Sequence, residues 1–159
     1  NYATQIVQDG TGRVVELAVR FAGDSPFVLS YGDILIDPHN YKSIVDLADN
    51  VEAIISVKRG GDVSKGGAVF LNDHFELIDL REKSKPGELT SQWYNAGLYT
   101  FRPSIFQFIA KLQPSPRGEY ELTDAIRDLA QSGKKVQALE LTGEWADVRD
   151  PEILAQLNR

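Results

Sequence analysis

The sequence predicts an α/β fold, a sheet flanked by helices. Short apolar runs alternate with segments of helical periodicity along the chain, the order expected of a layered α/β domain. Two of the runs read as buried strands, PFVLSY at 26–31, a continuous apolar run, and VEAIISVK at 51–58. The chain has 159 residues, of which 42% are hydrophobic and 25% charged, which suits one globular domain.

Each element has its own warrant. Residues 2–8 read as a short strand. Val14, Val15, Ala18 and Phe21 fall near helical spacing, so 11–21 read as a helix entered through a glycine-rich turn. Strands follow at 26–31 and 51–58, with a helix at 41–50 between them. Residues 60–67 form a loop with four glycines. Residues 68–71 and 75–82 make a hairpin turned at Asn72-Asp73. A polar loop spans 84–91, and 93–101 are a strand. Pro103 opens a helix to 112. Thr123 is a good N-cap for a helix to about 131, which Gly133 ends. Residues 135–141 and 144–148 are short strands. Asp150 caps a last helix, 151–157, with Pro151 at its first position.

Composition excludes several functions. With 17 basic and 23 acidic side chains the formal charge is −6, a poor match to nucleic acid or an anionic membrane. No apolar run of transmembrane length and no signal-peptide pattern occurs. With no Cys there is no disulfide framework, thiolate metal site or Cys nucleophile. The two histidines, His39 and His74, have no ligand-spaced partner and are expected at the surface. Any divalent cation must then sit on carboxylates, which favours Mg²⁺ or Mn²⁺. The loop GGDVSKGG contains Lys65 but lacks the order of a phosphate-binding P-loop. The absence of Met and the start at Asn1 suggest part of a longer chain.

Four segments could carry chemistry. Tyr31-Gly32-Asp33 ends a buried strand, where open α/β sheets bind ligands. Asp147, in Trp145-Ala146-Asp147-Val148, is a second strand-borne acid. Two such acids with substrate phosphates and water can complete an octahedral Mg²⁺ site. Gln5 with Gly10-Thr11-Gly12 could read a nucleobase edge, the amide being both donor and acceptor, although for GTG alone a turn and helix start is the favoured reading. Glu82-Lys83 and Asn95-Ala96-Gly97 offer groups for sugar hydroxyls and a phosphate, although Glu82-Lys83 alone would also suit a solvated pair.

In order, GTG opening a helix, PFVLSYGDILI, VEAIISVK, a glycine loop with a hairpin ending REK, WYNAGLYTF, GEYELTDAI and EWADVRDPEILAQLN resemble the sugar-1-phosphate nucleotidylyltransferases over residues 5–158. The resemblance implies a Rossmann-like, mostly parallel (mixed) sheet flanked by helices, here the C-terminal part of a nucleotidyltransferase domain. It implies that Gln5, with Gln8 a less well-spaced alternative, reads the base, and that Gly10 and Thr11 contact it. Tyr31, Gly32 and Asp33 would contact the nucleotide. Gly67, Glu82 and Asn95 would hold the sugar, and Lys83 its phosphate. Asp33 and Lys83 would be catalytic, and Asp33 and Asp147 would bind Mg²⁺.

Some features depart from the family. Gly66 stands before Gly67 where a Tyr is usual, Ser84-Lys85 separates Glu82-Lys83 from Pro86, and Arg149-Asp150 replaces a Gly-Thr pair. The family's opening segment, GxGxRLxPxTxxxPK, has no counterpart here, so the 159 residues are expected to lack the phosphate loop and to be inactive alone. The implied reaction joins a nucleoside triphosphate to a sugar 1-phosphate, releasing pyrophosphate, in a cytoplasmic protein that could form homo-oligomers and needs neither nucleic acid nor membrane. The alternatives are a cytidylyltransferase for phosphocholine-like acceptors and a non-catalytic, regulatory pyrophosphorylase-like domain.

Overall fold

The computed structural model describes residues 1–60, 66–83, 91–148 and 151–157. Its elements are α1 (Thr11–Glu16), α2 (Val19–Ala22), β1 (Phe27–Ser30), β2 (Ile34–Ile36), α3 (Asn40–Ile44), β3 (Ala53–Arg59), β4 (Gly67–Leu71), β5 (Leu77–Glu82), β6 (Trp93–Phe101), α4 (Ile105–Ile109), α5 (Leu122–Gln131), β7 (Val136–Glu140), β8 (Trp145–Asp147) and α6 (Pro151–Leu157).

Six strands form one sheet in the order β5-β4-β6-β3-β7, with β1 also on β6. The sheet is mixed. β1, β3, β4 and β7 share a direction while β5 and β6 oppose them, so β3–β7 is the one parallel pairing described. All nine residues of β6 are buried, as its central place requires. One face of the sheet packs on α1, α4 and α5 through a core that includes Ile55, Tyr99, Phe101, Ile105, Ile126 and Leu129. A smaller cluster of Ile44, Val51, Ile54 and Leu98 fills the other face, with Ile34 and Ile36 packed against it. In α5 the buried Leu122, Ala125, Ile126 and Leu129 lie along one stripe of the helix. Among the described residues no helix is long and apolar enough to cross a membrane.

Local expectations are corrected in several places. Residues 2–8 form no strand. Tyr2 and Ile6 are exposed, and no ladder among the described residues supplies the partners an extended segment needs. The helix at 11–21 is broken, because Leu17 and Ala18 donate three residues back, to Val14 and Val15, and this tight turn re-aims the chain. The helix at 41–50 shrinks to α3. Beyond it Leu47 N donates only two residues back, to Val45 O, and Arg102 holds the turn that follows through the carbonyls of Ala48, Asp49 and Val51. Thr123 is not the N-cap of α5. Glu121 holds that position, and the Leu122 N–H is satisfied instead by Thr11 Oγ1 at 3.1 Å. The hairpin turn runs through Asn72–Glu76, where Asn72 Oδ1 accepts from His74 N and Glu76 N. Strand β2 had no sequence signal beyond Ile34-Leu35-Ile36. Lys65, the loop at 84–90 and the turn at Arg149-Asp150, including the Asp150 cap, lie outside the described residues.

Candidate active site

The site begins with a split in the sheet. Along one edge β6 pairs first with β4, at Trp93 and Tyr94, and then with β1, at Leu98–Phe101. Between these ladders Asn95, Ala96 and Gly97 face a gap where β4 and β1 diverge. A ligand crevice at such a divergence is the general rule for open α/β sheets. On the opposite edge the β3–β6 register slips between Ile55 and Val57, which makes a bulge in β6. Gly97 permits it with φ 80°, and a Cβ there would stand 2.9 Å from the Tyr31 ring. Ser56 Oγ accepts the Leu98 N–H inside the bulge, and Tyr31 N donates to Gly97 O.

The resulting cleft, about 380 Å³, is within the usual range for small-molecule sites. It is lined by Thr11, Tyr31, Asp33, Gly67, Glu82, Lys83, Asn95 and Asp147, all named from the sequence. Gly67 pairs with Glu82 across β4–β5 and lies beside Asn95, its missing Cβ 3.0 Å from Asn95 Cβ. Gly67, Glu82 and Asn95 together line one pit of the cleft, with a carboxylate and an amide on its wall. Lys83 follows in a left-handed conformation, φ 46°, with its N–H on Gly66 O at 2.8 Å. Strain of this kind in a non-glycine residue clusters at functional positions.

Beneath the pit lies a hydroxyl–amide network. Asn95 and Tyr99 bond reciprocally, Asn95 Nδ2 to Tyr99 Oη at 2.8 Å and Tyr99 Oη to Asn95 Oδ1 at 3.0 Å. Burial raises Tyr99 well above the usual tyrosine value. Burial also pushes Tyr31 up to about 12, despite its hydrogen bond to Tyr99. Both phenols thus stay neutral near pH 7 and keep their donors.

Asp33 and Asp147 sit at one end of the β2–β8 ribbon. Ile34 pairs with Asp147, and the Val148 N–H donates to Asp33 O at 2.7 Å. The two acids line the same cleft from paired backbones. No group of three or more His, Asp or Glu side chains gathers as a metal cage among the described residues. Five acidic side chains, Asp33, Glu82, Glu119, Glu121 and Asp147, line the cleft against two cations, Lys83 and Arg117. A divalent cation on Asp33 and Asp147, completed by substrate oxygens and water, fits this oxygen donor set and would offset its charge.

Other site residues fall elsewhere. Gln5 lies outside the cleft lining, and its amide donates to Asp9 Oδ1 at 3.1 Å and Gly10 O at 3.3 Å, within its own turn. Gly10 is also outside it. Its φ is 122°, and a Cβ would stand 2.5 Å from the Tyr120 backbone, so tight packing already demands glycine there. Gly32 lines a neighbouring, more apolar groove with Thr11, Val14 and Leu29.

Several lining residues were not anticipated. Arg117 bonds Glu121 at 2.6 Å and Glu119 at 3.1 Å, which holds it charged at the rim. Its signal was available in RGEYE, an arginine with acids two and four residues on. Tyr94 and Trp145 meet edge-on at 5.6 Å and form an aromatic wall, with Trp145 Nε1 donating to Ala96 O.

The family model described as nucleotidyl transferase matches residues 1–159. A bifunctional protein GlmU of Methanococcus maripaludis is 36% identical over 99% of this chain and 37% of its own length. A UTP–glucose-1-phosphate uridylyltransferase, AglF, of Haloferax volcanii is 34% identical over 95% of this chain and 62% of its own. The chain thus spans little more than a third of the first relative and under two thirds of the second. A crystal structure of UDP-glucose pyrophosphorylase with UDP-glucose superposes with a TM-score of 0.83, at 22% identity, over 98% of this chain and 63% of that one, a likeness of fold.

Proposed function

Because this chain belongs to the nucleotidyl transferase family, we propose that its cleft joins a nucleoside triphosphate to a sugar 1-phosphate, giving a nucleotide sugar and pyrophosphate. The observation that supports this reading is that Glu82 and Asn95, Lys83 and Arg117, and Asp33 and Asp147 line one cleft at the split in the sheet. The name of AglF, a UTP–glucose-1-phosphate uridylyltransferase, points the same way.

On this reading the pit over Gly67 receives the sugar, with Glu82 accepting from its hydroxyls and the Asn95 amide fixing one more. Lys83, and Arg117 at the rim, meet the sugar phosphate. An oxygen of that phosphate attacks the α-phosphorus of the triphosphate in line. The bond from the α-phosphorus to the bridging oxygen breaks, and pyrophosphate leaves with the electron pair. No protein nucleophile is needed, so catalysis rests on positioning and charge. Asp33 and Asp147 would hold Mg²⁺, which when bound neutralises phosphate charge. Thr11 and Tyr31 form the wall on the nucleotide side, with Gln5, Gly10 and Gly32 beyond it toward the base. A cytoplasmic setting belongs to the same reading.

The amide cradle for the triphosphate comes, on this reading, from a segment outside these 159 residues. Losing even one such donor costs about 10²–10³ in rate, so residues 1–159 alone are expected to turn over far below the intact protein. The test is pyrophosphate release by the intact protein with each nucleoside triphosphate against a panel of sugar 1-phosphates and phosphocholine. Magnesium-dependent release with a sugar 1-phosphate supports the proposal. Release with phosphocholine alone, or with no pair, refutes it.

A further inference from the structure

The β2–β8 ribbon has three residues in each strand and pairs with no other strand among those described. A two-stranded ribbon is marginal by itself, yet Asp33 and Asp147 of the cleft sit at its end. Its far end is tied by groups that the cleft does not use. Asp37 N donates to Glu144 O at 3.0 Å and closes the ribbon. His39 then spans from one strand's end to the turn before the other. Its Nδ1 lies 2.6 Å from Asp37 Oδ1 and its Nε2 2.5 Å from Thr142 Oγ1, across 103 positions of sequence. An ionised carboxylate only accepts, so Nδ1 carries the proton toward Asp37. Nε2 shares the second hydrogen bond with the Thr142 hydroxyl. The His39 contact holds the Asp37 carboxyl below its ordinary range.

Asn40 makes the same connection from beneath. It is only 3% exposed. Its amide donates to Asp37 O and Thr142 O, and its carbonyl accepts from Thr142 N. Lys58 holds the turn from β3 through Leu141 O and Gly143 O. The turn between β7 and β8 is therefore clamped from two sides.

We propose that the Asp37–His39–Thr142 relay, seated on Asn40, is a positioning device for the cation site, setting the ribbon's register so that Asp33 and Asp147 bind one ion together. This rests on the proposed nucleotidyl transfer only for its kinetic effect. Asp33 is four residues from Asp37 and Asp147 five from Thr142, so the acids lie about 13 Å along the ribbon from the relay, and His39 and Thr142 are outside the cleft lining. Groups that orient metal ligands typically change metal affinity or activity by about 10–100-fold when removed.

The experiment uses the intact protein with His39→Ala, Thr142→Val and the conservative Thr142→Ser. His39 and Thr142 are exposed, so these changes leave the core intact. Mn²⁺ binding without turnover is read from the free-ion paramagnetic resonance signal, and rates are read against Mg²⁺ and against sugar 1-phosphate. His39→Ala and Thr142→Val are expected to weaken Mn²⁺ binding about tenfold and to raise the half-saturating Mg²⁺ similarly, with the sugar 1-phosphate KM within about twofold. Thr142→Ser is expected to restore both. Mn²⁺ binding unchanged in the two variants, no Mn²⁺ binding by the wild type, or no rescue by serine overturns the proposal. If the wild type turns over no substrate pair while the variants still lose Mn²⁺, nucleotidyl transfer fails and the positioning device stands.

Discussion

Tyr99→Phe isolates the network beneath the cleft. The substitution keeps the ring, which stacks on Phe101 at 5.5 Å and meets Tyr31 edge-on at 5.7 Å, so packing is largely retained. It removes one hydroxyl that both donates to and accepts from Asn95. Tyr99 is fully buried and Asn95 is 8% exposed, so neither partner is replaced freely by bulk water. Leaving a buried polar group unsatisfied costs about 1–3 kcal/mol. The two bonds to Asn95 and the one to Tyr31 are lost, but the cleft admits some water to the Asn95 amide, which puts the expected loss at about 2 kcal/mol. For a chain of this length that lowers Tm by about 4–8 °C. The freed amide also loses its fixed orientation in the pit. Sugar 1-phosphate binding to the intact protein is therefore expected to weaken about tenfold, a change of about 1.4 kcal/mol, with nucleotide binding unchanged. Urea unfolding gives the first quantity and calorimetric titration the second. A stability change under about 0.5 kcal/mol together with unaltered sugar phosphate binding would refute the reasoning.

Other perturbations separate roles that the sequence leaves entangled. Gly10→Ala adds a Cβ 2.5 Å from the Tyr120 backbone at a positive φ, so it is expected to cost about 2–4 kcal/mol in thermal unfolding; an unchanged Tm would return Gly10 to a purely ligand-contacting role. Glu82→Ala is expected to weaken sugar 1-phosphate binding far more than nucleotide binding, and equal losses in titration would make Glu82 structural. Glu52 is held below the usual carboxylate range chiefly by the Ser104 hydroxyl at 2.5 Å and then by Lys134. A depressed folded value gives stability that is present above the unfolded value of about 4.3 and lost as pH falls through the folded one. Glu52→Gln should therefore destabilise by up to about 1 kcal/mol near pH 7 and progressively less below about pH 4 in urea titrations; a gap that persists at low pH would contradict this.

Much of the fold was legible because strands buried on both faces announce themselves. WYNAGLYTF is a strand over all nine residues, and the continuous AIISV run lies beside it. Gly133 ends α5 as expected, with its N–H on Ala130 O. Local pattern failed where long-range contacts decide. Nothing near residue 48 reveals that Arg102 will take its carbonyl, and nothing near Leu122 shows that Thr11 will satisfy its N–H. The three-residue β2 is too short for any periodicity. In the site, Asp33, Glu82, Asn95 and Asp147 could be named because the order of the motifs resembles the nucleotidylyltransferases, where residue type alone left Glu82 an ordinary solvated acid. Arg117 was passed over because its value depends on a loop folding back over the cleft. Gly10 illustrates the converse: the same residue type suits a ligand surface and a tight backbone crossing, and only coordinates supply Tyr120.

Under the proposed function, Asp33 and Asp147 act together in one cleft on a nucleoside triphosphate and a sugar 1-phosphate. Single-turnover pyrophosphate release by the intact protein, compared with its Asp33→Asn and Asp147→Asn variants at saturating substrates, tests it most directly. Each variant is expected to lower the rate by about 10² or more, since asparagine keeps the shape but removes the charge that holds the cation, while urea unfolding stays close to wild type. A variant that retains the wild-type magnesium-dependent rate would contradict the claim.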